Sequence, residues 1–219
     1  RRRRDRPAGD MSPHSTSARP APRAWTYDEI AAVLASTSAD EVVVEVGTSG
    51  STGSPKVARL SRGALTASAG ATLDVLGGPG QWLLATPTTH IAGIQVLVRS
   101  VLAGVAPAVL GGRFSVESFA SAAGRLDHER RYTALVPTQV RRLLDHPDGR
   151  TALSGLDAVL VGGAAVPATL RAEAEACGVH VVATYGMSET AGGCVYDGRP
   201  LPVTRMRIVD PDSHGVGVI

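Results

Sequence analysis

Lysine occurs once in this chain of 219 residues, against 21 arginines, and it closes the run Thr48-Ser49-Gly50-Ser51-Thr52-Gly53-Ser54-Pro55-Lys56. Glycines let a backbone turn and approach a ligand closely, hydroxyls and amide N–H groups donate to phosphate oxygens, and an ammonium adds a mobile positive charge. The chemistry predicted for this run is phosphate binding, and hence nucleotide handling. The commonest phosphate loop, G-x-x-x-x-G-K-[ST], does not fit, because Lys56 follows Gly53 by three positions rather than one and Pro55 precedes it. A run of this length between regular elements is more often functional than a bare turn. Arg99 is a second candidate, the only charged residue between Asp74 and Arg113. A charge in so apolar a stretch either binds an anionic group through its planar guanidinium or snorkels its head to the surface. His90 stands nearby after a Thr-Thr pair, where an imidazole can cap a helix or donate to a carboxylate.

These side chains need a frame, and the hydrophobic pattern supplies one. Val42-Val43-Val44-Glu45-Val46 reads as a buried strand feeding the lysine run, and residues 61–76 as the helix that follows it. Beyond them the spacing predicts strands at 81–85, 105–110, 132–136, 156–161 and 179–183, alternating with helices at 91–103, 116–126, 138–144 and 168–177, and a last strand at 206–210. The predicted fold class is therefore α/β, a mostly parallel sheet flanked by helices in β-α-β-α order throughout. In such sheets ligands gather beyond the carboxyl ends of the strands. The loops 47–56, Thr86-Pro87-Thr88-Thr89-His90, Pro137-Thr138-Gln139, Gly162-Gly163-Ala164 and Tyr185-Gly186-Met187-Ser188-Glu189 are all placed there.

Composition narrows the classes further. No apolar stretch is long enough to span a bilayer, since residues 91–110 are interrupted by Arg99, two glycines and Pro107. The formal charge of +2 is uneven, because residues 1–24 hold seven Arg against two Asp. That segment has almost nothing to bury and is expected to be a disordered tail. Its Arg run could contact nucleic acid, but the rest of the chain lacks the basic, aromatic-interleaved pattern of such proteins, so no nucleic-acid partner is expected. Met11 is the first methionine, which leaves residues 1–10 readable as upstream translation or an appended remnant, and no secretory signal follows. Cys177 and Cys194 have neither metal-ligand nor disulfide-framework spacing, so reduced thiols and a cytoplasmic setting are expected.

The lysine run, taken with Tyr185-Gly186-Met187-Ser188-Glu189-Thr190 about 130 residues later, resembles the adenylate-forming family of acyl-CoA ligases, luciferases and peptide-synthetase adenylation domains. The resemblance implies that Thr48, Ser49, Gly50, Ser51, Thr52, Gly53 and Lys56 hold the β- and γ-phosphates of ATP. It implies further that Ser188 meets the α-phosphate, that Glu189 carries Mg²⁺, and that Tyr185 lies against adenine, with Gly162, Gly163, Ala164, Gly186 and Met187 around the nucleotide. On the residues alone, Glu189 has a lesser reading as a capping or surface carboxylate. Three further segments, His90-Ile91-Ala92-Gly93 with Arg99, residues 135–144, and residues 159–167, together with Tyr196-Asp197-Gly198-Arg199-Pro200-Leu201, are similar to the branch of that family that joins o-succinylbenzoate to coenzyme A in menaquinone biosynthesis. That branch implies Arg99, His90, Thr138 and Gly163 on the acid, and Lys56, Ser188, Glu189 and His90 as the catalytic set.

The expected partners are thus a small carboxylic acid, ATP with Mg²⁺, and coenzyme A, and a homodimer is compatible with the sequence. Residues 1–24 are expected as tail, 25–210 as the family's large-domain core, and 211–219 as a truncated end. Family members continue with a ribose-binding aspartate, a hinge and a small domain carrying a catalytic lysine. Because Lys56 belongs to the phosphate run, nothing here fills that lysine's role, and impaired turnover is expected of the 219 residues alone. Two other readings stay open: an adenylation core for a fatty, aryl or amino acid, and a nucleotide-binding remnant without turnover.

Overall fold

In a computed structural model of the chain, residues 23–48, 56–210 and 212–214 are described. Residues 1–22 of the expected tail, and Ser49, Gly50, Ser51, Thr52 and Gly53 of the phosphate run, lie outside the described residues. The end of that expected tail is engaged rather than loose: Arg23 stacks over Trp25 at 4.5 Å and pairs with Glu29. A capping box then starts helix α1 (Tyr27–Ser36), with Thr26 N–H donating to Glu29 Oε2 at 2.9 Å and Glu29 N–H to Thr26 Oγ1 at 3.3 Å.

Strand β1 (Val42–Thr48) is where the hydrophobic run places it, but a helix does not follow it. Lys56 opens a second strand, β2 (Lys56–Ser61), and the two form an antiparallel ladder from Val42↔Ser61 to Thr48↔Lys56 in a sheet of their own. The phosphate run is thus flanked on both sides by paired strand residues, Thr48 and Lys56, which corrects the predicted strand-to-helix link. Alternation explains why: Ala58 and Leu60 are buried while Val57 and Arg59 face outward. Helix α2 (Arg62–Val75) starts at once, its first turn capped by Ser61 Oγ, which accepts from Ala64 N–H at 3.2 Å.

The main sheet is built from β3 (Gln81–Leu84), β4 (Ala108–Val109), β5 (Arg131–Leu135), β6 (Ala158–Val161), β7 (Val181–Met187), β8 (Gly192–Tyr196) and β9 (Arg199–Pro200), in the order β4-β3-β5-β6-β7-β8-β9. Pairing is parallel from β4 to β7 and antiparallel from β7 to β9. The helices are α3 (Ile91–Ala103), α4 (Val116–Ala123), α5 (Pro137–Leu144), α6 (Pro147–Ser154) and α7 (Ala168–Ala176). The α/β class with a mostly parallel sheet holds, whereas the β-α-β-α order fails at both ends. Residues 206–210 form no extended strand: Met206 and Ile208 are exposed, and Val209 makes only an isolated bridge.

Successive strand residues point to opposite faces, so each parallel strand feeds two cores. Trp82, Leu84, Tyr132, Ala134, Ala158 and Leu160 pack with Ile30, Leu65 and Leu97 on one side. Leu83, Leu135, Val159 and Val161 pack with Phe119, Leu143, Leu153 and Leu170 on the other. Helices α1 to α3 thus cover one face and α4 to α7 the opposite one. Among the described residues no helix is long and apolar enough to cross a membrane.

Phe119 is fully buried in the second core, away from the face that carries Arg99. Phe119→Ala should lower the unfolding free energy in urea by about 3–5 kcal/mol, with ligand affinity unchanged at saturating folded protein.

Candidate functional site

Strands β3, β5, β6 and β7 end side by side, and their carboxyl-terminal residues floor a cavity of about 160 Å³ lined by Thr86, Leu135, Val136, Gly162, Gly163 and Thr184. Helix α3 forms its wall through Ile91, Gln95 and Arg99, and the β7–β8 hairpin closes it with Gly186, Met187, Gly193 and Tyr196. Positions 91, 95 and 99 follow at helical spacing, so one face of α3 looks into the cavity.

Arg99 is the unusual member of this lining. It is 4% exposed, which removes the alternative of a head at the surface. Its guanidinium carbon lies 4.9 Å from the centre of the Trp82 ring, and Nη2 stands 3.5 Å from the Tyr196 hydroxyl. Among the described residues Nε has no hydrogen-bond partner and no carboxylate pairs with the guanidinium. Burial pushes the guanidinium below its ordinary pKa, while Tyr196 works in the opposite direction. An arginine does not give up its proton in a protein, so what remains is a charge short of an anionic neighbour.

Gln95 is buried one turn before it. Its Nε2 donates to Ala191 O at 2.7 Å and Leu65 O at 3.3 Å, which fixes the amide and leaves Oε1 without a partner among the described residues. Through Ala191 the same bond holds the turn Ser188–Thr190, since Ala191 N–H donates to Ser188 O at 3.0 Å. Thr190 Oγ1 ties the turn further, donating to Gly192 O at 2.7 Å.

A second cavity, of about 510 Å³, adjoins the first and is lined by Gly163, Ala164, Ala165, Val166, Ala183, Thr184, Tyr185, Gly186, Val195 and Gly198. Gly163, Thr184 and Gly186 belong to both linings, so the two spaces meet at a common waist. Gly186 must be glycine there, because a Cβ would overlap the Gly192 carbonyl across the hairpin. Tyr185 is 48% exposed at the edge of the larger space, a flat ring presented rather than packed away. A third hollow, of about 320 Å³, lies on the far side of the hairpin and includes Glu189, Thr190, Cys194 and Ser68.

The structure thus gathers Arg99, Gly162, Gly163, Ala164, Tyr185, Gly186 and Met187 around two joined spaces. It brings the opening of β2, where exposed Lys56 pairs with Thr48 in the ladder, beside the Ser188–Thr190 turn, because β2 packs on that turn. Glu189 is exposed beside the third hollow. Among the described residues no three His, Cys, Asp or Glu side chains cluster as a metal cage. A lone accessible carboxylate still suits Mg²⁺, which keeps several waters and takes the rest of its ligands from phosphates. His90 and Thr138 are not in the cavity lining: His90 is the exposed N-cap of α3 and makes no side-chain capping bond, and Thr138 is exposed in the first turn of α5.

Sequence reasoning missed Gln95, Thr86, Thr184 and the role of Tyr196. Gln95 had a usable signal, since a polar residue four positions before Arg99 on a predicted helix shares its face. Thr86 and Thr184 carried none beyond their place at strand ends.

Comparison with known proteins places this geometry. The profile of the family described as AMP-binding enzyme matches residues 5–218. A protein of Mycobacterium tuberculosis named probable 2-succinylbenzoate–CoA ligase is 53% identical over 180 residues, covering 81% of this chain and 47% of that one. The 2-succinylbenzoate–CoA ligase of Escherichia coli is 34% identical over 173 residues, covering 74% of this chain and 36% of its own length. Among solved structures, the o-succinylbenzoate coenzyme A synthetase of Bacillus subtilis in complex with AMP superposes with a TM-score of 0.70 at 30% identity, over 78% of this chain and 47% of that one. The same synthetase with ATP and magnesium ion gives 0.68 at 27% identity, over 83% and 40%. The chain spans about half or less of the length of these relatives. With a profile match over nearly its whole length, the chain belongs to the AMP-binding enzyme family.

Proposed function

We propose that this chain carries the acid- and nucleotide-binding core of an ATP-dependent acid–thiol ligase, which activates o-succinylbenzoate as its acyl-adenylate and passes it to coenzyme A in menaquinone biosynthesis. The observation that supports this reading best is the pair of cavities joined at Gly163, Thr184 and Gly186, one ending on buried Arg99 and the other fronted by Tyr185. An acyl-adenylate is one molecule with an acid half and a nucleotide half. Its mixed anhydride would lie at the waist, where the glycines let backbone amides approach.

In this reading o-succinylbenzoate brings two carboxylates. One is activated, and the other enters the smaller cavity to pair with Arg99, whose fork suits two parallel hydrogen bonds. The activated carboxylate is already ionised at neutral pH, so it needs placing rather than deprotonating. Its oxygen attacks the α-phosphorus, pyrophosphate leaves, and the thiol of coenzyme A then displaces AMP from the acyl carbon. Negative charge grows on the phosphate oxygens during the first step, where fixed donors help most. Lys56 with Thr48, Ser49, Gly50, Ser51, Thr52 and Gly53 would hold the outer phosphates, Ser188 the α-phosphate, and Tyr185 with Gly162, Gly163, Ala164 and Met187 the nucleoside side. Glu189 would hold Mg²⁺, which when bound supplies charge neutralisation to the phosphates. His90 and Thr138 stand at the mouth formed by the ends of β3 and β5, and would guide the acid toward the cavity rather than line it.

Another relative, named indoleacetate–CoA ligase of Aromatoleum aromaticum, is 32% identical over 185 residues. Its named acid has a single carboxylate, and a monocarboxylate here would leave Arg99 unpaired. Charge therefore favours the dicarboxylate.

Calorimetry with a stable o-succinylbenzoyl-adenylate analogue should give tight binding that weakens when the second carboxylate is removed; equal binding of the two would sink the substrate assignment. In pyrophosphate exchange, Lys56→Ala and Glu189→Ala should each cost about a hundredfold in rate, the usual loss for one charge-stabilising group. Arg99→Met should abolish the preference for the second carboxylate, yet leave the unliganded fold as stable as before or up to about 4 kcal/mol more so, since it removes a buried charge.

A further inference from the structure

Behind Arg99 stands a chain of hydroxyl groups whose hydrogens can be counted. Thr72 Oγ1 donates to Ser68 O at 2.9 Å within α2, which uses its only hydrogen. The Thr72 and Tyr196 hydroxyl oxygens are 2.9 Å apart, both buried and 124 positions distant in sequence. The arrangement that gives both hydroxyl hydrogens an acceptor has Thr72 donating to Ser68 O and the Tyr196 O–H donating to Thr72. The Tyr196 oxygen is thereby left as an acceptor, and Arg99 Nη2 lies 3.5 Å from it, at the outer limit of a hydrogen bond. Trp82 closes the other side of the guanidinium, and Trp82 is itself held by the Tyr132 ring at 5.2 Å. Gly193 makes the seat possible, because a Cβ there would come within 2.6 Å of the Tyr196 ring.

The geometry points to Tyr196, oriented by Thr72, as the specificity-determining residue that positions Arg99 for the second carboxylate of the acid. Tyr196 acts through Arg99 rather than on the reacting atoms. A phenol that donated toward the cavity would compete with the guanidinium for the carboxylate. One forced to accept keeps the charged head in place and leaves its Nε edge for the ligand. The consequence is selectivity: the Thr72–Tyr196 pair sets how much better a carboxylate binds than a neutral group of the same shape. This inference rests on the Arg99–carboxylate reading above.

The test compares two stable acyl-adenylate analogues by calorimetry, one with the second carboxylate and one with a carboxamide in its place, on the full chain and its variants. Tyr196→Phe should reduce the preference for the carboxylate by roughly tenfold, the loss typical of one hydrogen bond to a charged group, with carboxamide affinity nearly unmoved. Thr72→Val should lower the preference in the same direction, and Thr72→Ser, which restores the hydroxyl, should return it. Loss of affinity for both analogues in parallel, or an unchanged preference in Tyr196→Phe, would overturn the inference. If the unaltered protein shows no preference at all, the Arg99 assignment itself fails, a result separate from the first. A second readout needs no ligand: the Arg99 side-chain nitrogen signals in nuclear magnetic resonance should show hindered rotation in the unaltered protein and freer rotation in Tyr196→Phe. Identical signals in the two would also count against the role given to Tyr196.

Discussion

A buried guanidinium with no carboxylate partner among the described residues is the constraint around which this side of the protein is arranged. Moving a charge out of water costs several kcal/mol even after relaxation, and Arg99 recovers part of that from the Trp82 face and the Tyr196 oxygen. Neither neighbour is an anion, so the recovery is incomplete. A methionine at the same position would pack as well with no such cost. The arrangement makes sense when the missing interaction is delivered by a ligand, because a site that is costly when empty gains most from the correct anion. Selectivity and instability at Arg99 therefore have one origin.

The sheet explains why this charge sits where it does. Strands β3, β5, β6 and β7 are parallel and end together, which leaves a crevice at their carboxyl ends. A further parallel strand after β7 would need a crossover helix. Instead the chain folds straight back as β8, and the hairpin roofs the crevice. Its glycines are dictated by that close return, while its turn carries Ser188 and Glu189. One departure from parallel topology thus closes the smaller cavity, forms the waist and presents the second motif.

Much of this was legible in the residues, and the failures have identifiable causes. Helix α3 runs over the predicted 91–103, because an apolar face and Gly104 after its last turn mark both its nature and its end. Strand β6 appears as an uninterrupted apolar run, as strands buried on both faces do. Strand β2 was hidden because only Ala58 and Leu60 turn inward, too few to separate it from the start of a helix. The Gly-Gly-Cys-Val-Tyr of β8 has little strand propensity of its own, and pairing with β7 makes it a strand. Helix α1 was readable and unread, since Thr26 and Glu29 form a capping box in plain sequence. At the site, the charged residue could be singled out by type. The groups that orient it, Tyr196, Thr72 and Trp82, come from three distant elements and reveal themselves only through burial and hydrogen count.

Gln95 shows how the acid and nucleotide halves of such a site can be linked without a long-range path. Its side chain lines the smaller cavity one turn from Arg99, and its amide holds Ala191, whose own N–H returns to Ser188. The link consists of two hydrogen bonds inside a close-packed region, so any displacement of α3 relative to the sheet is taken up by the Ser188–Glu189 turn, by bond lengthening or by both. The amide cannot rotate to absorb it, because Leu65 O occupies the other Nε2 hydrogen. Helix α3 and the Ser188–Glu189 turn are therefore two ends of one hydrogen-bonded piece, and in the proposed reading a ligand that fits the first would hold the second in place.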